Sequence, residues 1–213
     1  MMIITLEGAP ATGKSTIAKH LAQCHGFFRV PEVNELFPDR PKPEPEYWYC
    51  ERQIERLSLA TTHIDSVLDG DAFQAVWFSW LYPDRGFADW SRSMEFFRAN
   101  VHAITLPSFY AHLHASDSER YEREKGREEA RGRSHDQFVR KWSRYVDFQA
   151  PHKALFDAMS REYPGWVVSL ETADVEALAE KLLSTTSGDP PDAIEFVEWL
   201  GDWLGSNNSE DFR

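Results

Sequence analysis

Short apolar runs alternate with longer amphipathic segments along the chain. The apolar runs cover residues 2–6, 27–30, 66–69, 108–114 and 166–170. Apolar residues recur at helical spacing over residues 16–22, 47–65, 72–81, 91–103, 134–163 and 174–184. Buried parallel strands read as continuous apolar runs, and the helices that join them cover both faces of the sheet. The pattern therefore predicts a three-layer α/β fold, with a mostly parallel sheet of about five strands flanked by helices.

The pattern changes near the C-terminal end. Residues 184–191 are polar and end in two prolines, which is typical of a linker. Residues 192–204 form a short amphipathic segment, and we expect this helix to pack on the domain itself rather than on a partner. We predict one domain over residues 1–186, then the linker and helix within residues 187–213, with the last nine residues frayed.

Composition narrows the class of protein. The net charge of −12 argues against sequence-independent nucleic-acid binding, which needs a basic surface. The chain has no apolar stretch of the ~18 residues that a membrane span requires, and no signal segment precedes its first apolar run. The two cysteines are too few for a disulfide framework. We therefore expect a cytoplasmic protein that binds a small molecule, with a homodimer left open.

The most specific motif follows the first apolar run. Residues 8–15 read Gly-Ala-Pro-Ala-Thr-Gly-Lys-Ser and match the pattern G-x-x-x-x-G-K-[ST] between a strand and a helix. Backbone N–H groups of such a loop surround phosphates, its lysine reaches the outer phosphates, and its hydroxyl binds Mg²⁺. The motif predicts a triphosphate site formed by Gly8, Ala11, Thr12, Gly13, Lys14, Ser15 and Thr16.

Acidic residues follow two further apolar runs, and ligands of open parallel sheets bind at the carboxyl ends of the strands. Glu32 follows the second run, and we expect it to accept a proton from an attacking hydroxyl, with Glu35 as the competing acid. Asp69 ends the third run and is predicted to hold Mg²⁺ together with Ser15. Asp71 is a second acid beside the substrate or the metal.

Residues 117–133 are dense in charge of both signs. One interpretation is a solvated helix with ion pairs along its surface. The other is a lid, whose arginines stabilise the charge of a transferred phosphoryl group, and Arg123 and Arg127 are the candidates. We expect Gly126 and Gly132 to interrupt the helix where such a lid bends.

Aromatic and polar side chains are concentrated after the second and third apolar runs. Most of the aromatic ones belong in a core, but one or two are expected to line a pocket for a flat organic substrate. The candidate substrate-binding residues are Glu35, Trp48, Arg52, Gln53, Asp71, Phe73 and Trp77.

The order of these features resembles P-loop small-molecule kinases, in particular the deoxynucleoside kinase, thymidylate kinase and nicotinamide riboside kinase-like group. The features are the phosphate loop, the Pro-Glu pair after strand two, Glu-Arg-Gln at residues 51–53, the acid after strand three and the charged lid. The similarity covers residues 2 to about 184. It implies that Glu32 is a catalytic base and that Thr172 lies beside adenine.

The resemblance also bears on the lid and on the acceptor. It implies a shortened lid in which Arg123 and Arg127 are followed by the paired acids Glu128 and Glu129. After strand three, these kinases carry an acid followed by arginine, whereas residues 69–71 here read Asp-Gly-Asp. That departure leaves room for an acceptor other than a standard nucleoside, such as an antibiotic or a sugar-like metabolite.

The leading hypothesis is a kinase that uses ATP and Mg²⁺ to phosphorylate a hydroxyl of a small molecule. One alternative is a nucleoside monophosphate kinase, which needs an extra arginine for the acceptor phosphate, with Arg52, Arg56 or Arg85 as candidates. Another is a nucleotide-binding switch that signals through residues 192–204. The chain lacks the Asn/Thr-Lys-x-Asp segment that a GTPase-like switch uses to read guanine.

Overall fold

A parallel sheet forms the centre of the molecule in the computed structural model, which describes residues 1–83, 89–172, 174–186 and 188–212. Within these residues the sheet has five strands in the order β2-β3-β1-β4-β5, and every pairing is parallel. The strands are β1 (Met2–Gly8), β2 (Phe28–Val30), β3 (Asp65–Asp69), β4 (Phe109–His114) and β5 (Val167–Glu171). The predicted α/β fold and its parallel sheet are confirmed.

Helices cover both faces of this sheet. They are α1 (Lys14–Cys24), α2 (Val33–Leu36), α3 (Trp48–Thr61), α4 (Gln74–Leu81), α5 (Trp90–Ala99), α6 (Asp117–Ala130), α7 (His135–Glu162), α8 (Val175–Ser184) and α9 (Ala193–Ser206). Short 3₁₀ turns lie at Val101–Ala103 and Ser209–Phe212. The predicted helix over 47–65 ends at Thr61, since residues from Asp65 onward pair with β1.

Strand register brings the loops of the site to one edge of the sheet. β1 lies between β3 and β4, with Leu6 opposite Asp69 and Gly8 opposite Leu113. Val30, the last residue of β2, pairs with Leu68. Because the strands run in the same direction, the segments that follow β1, β2 and β3 leave the sheet side by side.

Two long helices, α6 and α7, follow β4. Ser134 caps the N-terminus of α7 with a capping box: its hydroxyl accepts from the backbone N–H of Gln137, and the Gln137 side chain accepts from the backbone N–H of Ser134. The interruption expected at Gly126 is wrong, because α6 runs through it to Ala130. Gly132, with φ of 68°, lies in the turn between the two helices.

The C-terminal helix packs on the core. Phe196 of α9 is buried and contacts the rings of Phe73 and Trp166. The expectation of a frayed end is wrong for residues 209–212, because the ring of Phe212 stacks on Trp203. Among the described helices, we find none with both the length and the apolar character needed to cross a membrane.

Candidate active site

The phosphate loop between β1 and α1 has a backbone that suits its sequence. Gly13 has φ of 100°, a conformation that a side chain would strain, and it directly precedes α1. The ammonium of Lys14 folds back over the loop and donates to the carbonyl oxygen of Gly8 at 2.5 Å. The N-terminus of α1 and the Lys14 ammonium therefore give this loop the positive potential that an anion site requires.

A carboxylate missed by the sequence reasoning lies beneath this loop. Glu7 is buried, and its two oxygens accept from the backbone N–H groups of Gly8 and Asp71, each at 2.8 Å. Burial raises the pKa of Glu7, while Lys14, whose Nζ lies 3.8 Å from Glu7 Oε1, opposes that shift. The signal for it in the sequence was a charged residue at the end of an otherwise apolar strand. Glu7 joins the phosphate loop to the loop after β3.

Asp71 lies below the site and does not line its cavities. Its carboxylate accepts from the Trp77 indole at 2.9 Å and from the Tyr110 hydroxyl at 2.7 Å. Burial raises the pKa of Asp71 to about 6. The prediction that Asp71 contacts the substrate is corrected, because the carboxylate is occupied in holding Trp77.

The central cleft is a cavity of about 400 Å³ above the phosphate loop. Glu32 lines it together with the loop, and so do Trp77, Arg127 and Lys141. The other lining residues are Glu7, Gly70, Gln74, Phe78, Arg131, Tyr145 and Phe148. Of the predicted residues, the fold therefore brings together the phosphate loop, Glu32, Trp77 and Arg127.

Glu32 is half-buried at the edge of this cleft. Burial raises the pKa of its carboxyl group, and the nearby Lys14 lowers it to a lesser extent. A carboxylate with a raised pKa is a better proton acceptor than a solvated glutamate. The position suits a general base that faces the outer phosphates.

Ser15 and Asp69 lie together, as a magnesium site requires. The hydroxyl of Ser15 donates to Asp69 Oδ1 at 3.1 Å, and Arg29 donates to Asp69 Oδ2 at 2.9 Å. These hard oxygen donors suit Mg²⁺, which takes one or two carboxylates and completes its shell with phosphates and water. No cluster of three acidic, histidine or cysteine ligands occurs among the described residues.

Arg29, which the sequence reasoning missed, changes the role of Glu35. The guanidinium of Arg29 forms two hydrogen bonds with the Glu35 carboxylate, at 2.8 and 2.7 Å. Glu35 is exposed and is not among the residues that line the cleft, so its assignment to the substrate is corrected. Glu35 is the outer end of a series of hydrogen bonds that runs through Arg29 to Asp69.

Arg56 holds together the loops that carry Glu32 and Asp69. It is completely buried and donates to the carbonyl oxygens of Pro31 at 2.8 Å, Asp69 at 2.9 Å and Gly70 at 3.1 Å. The Nη1 atom of Arg56 donates to Gln53 Oε1 at 2.5 Å. Gln53 is buried and accepts from Arg56 through Oε1, so it orients that arginine, and its assignment to the substrate stays a prediction.

The charged segment 117–133 contacts the phosphate loop through two arginines. Arg120 is buried and donates to the Pro10 carbonyl oxygen at 3.0 Å. Arg123 lies 3.3 Å from the Thr172 hydroxyl, and both line a separate cavity of about 270 Å³ beside α1 and α8. Arg123 is thus on the side predicted for the nucleotide base, and its assignment to the transferred group stays a prediction. Arg127 lines both this cavity and the central cleft.

The resemblance paired Glu128 with Glu129, whereas the structure pairs Glu128 with Glu124. Glu124 and Glu128, one helical turn apart, are buried, whereas Glu129 is exposed. Both buried carboxylates contact Lys141 of α7, at 2.5 and 2.8 Å. We call Glu124, Glu128 and Lys141 the lid cluster.

A third cavity, of about 240 Å³, opens from the central cleft at Gln74 and Phe78, which line both. Its other lining residues are Asn34, Arg40, Glu44, Glu46, Tyr49, Cys50, Ala75, Ser79 and Ser93. Tyr49 donates to Gln74 Oε1 at 3.2 Å, so the amide nitrogen of Gln74 keeps its donors for a ligand. We call this space the side cavity.

Three predicted substrate residues are not among those that line the side cavity. The ring of Phe73 packs in the core against Phe196, and Trp48 is buried against Phe37. Arg52 pairs with Glu55 at 2.5 Å and packs over the rings of Phe37 and Trp48. These assignments are corrected: a helix presents only one face to a cavity, and the sequence did not identify that face.

Known structures share this fold at low sequence identity. Deoxyadenosine kinase from M. mycoides with bound dATP matches with a TM-score of 0.52 and 16% identity, over 85% of this chain and 97% of that chain. The same enzyme with the products dCMP and a flexible dCDP matches with a TM-score of 0.52 and 17% identity, over 85% of this chain and 96% of that chain. The resemblance to the deoxynucleoside kinase group is therefore confirmed for the fold.

Comparisons by sequence do not extend this result. No protein family model matches the chain, and no curated protein matches it.

Proposed function

We propose that this protein is a kinase that uses ATP and Mg²⁺ to phosphorylate a hydroxyl group of a small molecule, which is a nucleoside-like compound, an antibiotic or a related metabolite. The observation that carries the proposal is a shared cleft. The phosphate loop and the half-buried Glu32 line the same cavity, and the side cavity opens from it at Gln74 and Phe78. The proposal assigns the donor phosphates to the central cleft beside Glu32 and the acceptor to the adjoining side cavity.

The reaction assigns each group a role. The acceptor oxygen forms a bond to the γ-phosphorus, and the bond from that phosphorus to the β–γ bridging oxygen breaks, leaving its electron pair on ADP. Glu32 takes the hydroxyl proton, while Lys14 and the loop N–H groups hold the phosphates. Ser15 and Asp69 would hold Mg²⁺, which neutralises charge on the phosphate oxygens.

The side cavity favours a hydroxyl acceptor over a phosphate acceptor. Arg40 at its rim is paired with Glu44, and Glu46 is paired with Arg92 at 2.6 Å. The arginines that could serve a nucleoside monophosphate kinase are engaged elsewhere, Arg52 with acids of α3 and Arg56 with buried carbonyl groups. Arg85, the third candidate, lies outside the described residues.

The regulatory switch is the less favoured reading. It requires that residues 192–204 be free to bind a partner, but Phe196, Val197, Leu200 and Leu204 are buried against the domain. We also propose that the main domain ends near residue 186, where the C-terminal linker begins.

The test is ATP consumption with a panel of nucleosides, nucleoside monophosphates and hydroxyl-bearing antibiotics. We expect turnover with at least one hydroxyl acceptor and a fall in kcat of about 10²- to 10⁴-fold in Glu32→Gln, with ATP binding retained. Glu51→Gln, which removes an exposed acid on α3, is the matched control and should keep the wild-type rate. Tight ATP binding without turnover of any acceptor would refute the proposal.

A further inference from the structure

Lys141 lies in the central cleft although it belongs to neither the phosphate loop nor the charged segment 117–133. It comes from the second turn of α7, and its side chain is 17% exposed. Its ammonium lies 5.4 Å from the centre of the Tyr145 ring, and Tyr145 lines the cleft as well. The lysine is thus presented to the space that also contains Lys14 and Glu32.

The lid cluster holds this ammonium in place. Nζ of Lys141 is 2.5 Å from Glu124 and 2.8 Å from Glu128, and both carboxylates are buried. Burial lowers the pKa of Lys141, but the bonds to the two carboxylates outweigh that effect and leave its pKa raised. The side chain therefore stays protonated in the cleft.

The lid cluster and the three arginines that contact it carry more positive than negative charge in total. Arg127 contacts Glu124 at 3.1 Å, while Arg131 and Arg133 contact Glu128 at 2.9 and 3.2 Å. Within the described part of the chain, Lys141 and these arginines thus share the two carboxylates, which leaves two positive charges uncompensated. Of these cations, Lys141, Arg127 and Arg131 line the central cleft together with the phosphate loop, an arrangement that favours binding of further negative charge.

We propose that Lys141 is a catalytic residue, whose ammonium contacts the phosphoryl group in transfer while Glu124 and Glu128 position it. This inference rests on the proposed kinase function. It assigns to α7 the role that the sequence pattern assigned to Arg123, which lines the cavity on the base side instead. Charge spreads over the oxygens of the transferred group as the bond to the bridging oxygen breaks, and a cation fixed in advance stabilises that state.

The first test compares two substitutions of this lysine. Lys141→Gln keeps donors for the two carboxylates but removes the charge, and we expect kcat to fall about 100-fold with the acceptor KM within twofold. Lys141→Arg restores the charge and should recover about one tenth of the wild-type kcat or more. Lys153→Met is the control, because Lys153 forms a similar pair with Asp157 on the same helix but is exposed.

A second measurement uses the wild-type protein and does not depend on how the variants fold. Amine-reactive labelling, read by mass spectrometry, should be slowed at Lys141 by an ATP analogue with an imido β–γ bridge and not by adenosine, while Lys153 is unaffected. A Lys141→Gln enzyme with kcat within threefold of wild type, or unchanged labelling at Lys141 with the analogue bound, would overturn the proposal. A wild-type protein that turns over no acceptor would instead count against the kinase function itself.

Discussion

Replacing Arg56 by methionine should strongly destabilise the protein, although this arginine lies next to the site and not in it. Its guanidinium is completely buried and binds the carbonyl oxygens of Pro31, Asp69 and Gly70, as well as the side chain of Gln53. Methionine fills a similar volume but donates no hydrogen bond. The buried carbonyl groups would then lose their charged donor.

The magnitude follows from those bonds. A hydrogen bond from a charged group contributes about 1.5–3 kcal/mol, and a buried acceptor left without a partner costs about 1–3 kcal/mol. Burial lowers the pKa of Arg56, so the wild-type protein pays a desolvation cost that the variant avoids. We therefore expect the free energy of unfolding to fall by about 3–5 kcal/mol, because several buried carbonyl groups lose their donor while the desolvation cost of the guanidinium is removed.

Urea denaturation of Arg56→Met and Arg52→Met provides the assay. Arg52 lies one turn earlier on α3, where it pairs with Glu51 and Glu55 and packs over the rings of Phe37 and Trp48, so its loss should cost about 1–2 kcal/mol, less than the loss of Arg56. The same proteins should differ in activity, since only Arg56 holds the segment that precedes Glu32. A loss below about 1 kcal/mol in Arg56→Met, or equal losses in both variants, would refute this account of the site.

Three further predictions concern pH and the C-terminus. Burial raises the pKa of Glu32 above 4.5, the ordinary value for glutamate. Because a protonated Glu32 cannot accept the hydroxyl proton, kcat/KM should fall as the pH drops through the raised pKa. A pH–rate profile that stays flat down to pH 4.5 would contradict the role of Glu32 as the base. The bond from Lys141 lowers the pKa of Glu128 to about 2, so the stability it contributes is present above pH 4.5 and is lost as the pH falls towards 2. Denaturation of Glu128→Gln across that range should show a weaker pH dependence than wild type. Phe212→Ala should lower the free energy of unfolding by about 1–2 kcal/mol through lost ring contacts, against no change for the exposed Asp211→Ala.

The sequence predicted what depends on local pattern. Continuous apolar runs identified the strands, and the spacing of glycine, lysine and serine identified the phosphate loop, because both signals lie within a few consecutive residues. Glu32 could be found because the end of a strand is a local feature, and the parallel sheet then places it beside the loop.

Contacts between distant segments could not be predicted in this way. Lys141 meets Glu124 across the turn between two helices, and Arg29 meets Asp69 across 40 positions of the chain. Each of these side chains, taken alone, reads as an ordinary surface charge. For Arg123 and Phe73, the chemistry was plausible, but the sequence did not tell which face of the helix points to the cleft.

The departure from the kinase pattern after strand three also acquires a physical explanation. Kinases of the resembling group carry an arginine after that acid, whereas Gly70 here has φ of 91° and lines the central cleft. Arg56 reaches this place from α3, but it binds the backbone of Asp69 and Gly70 and not the space above them. Arg56 therefore supports the loop after β3. The absence of a side chain at Gly70 leaves room beside Glu32. This supports the proposed hydroxyl acceptor over an acceptor that carries a charged group.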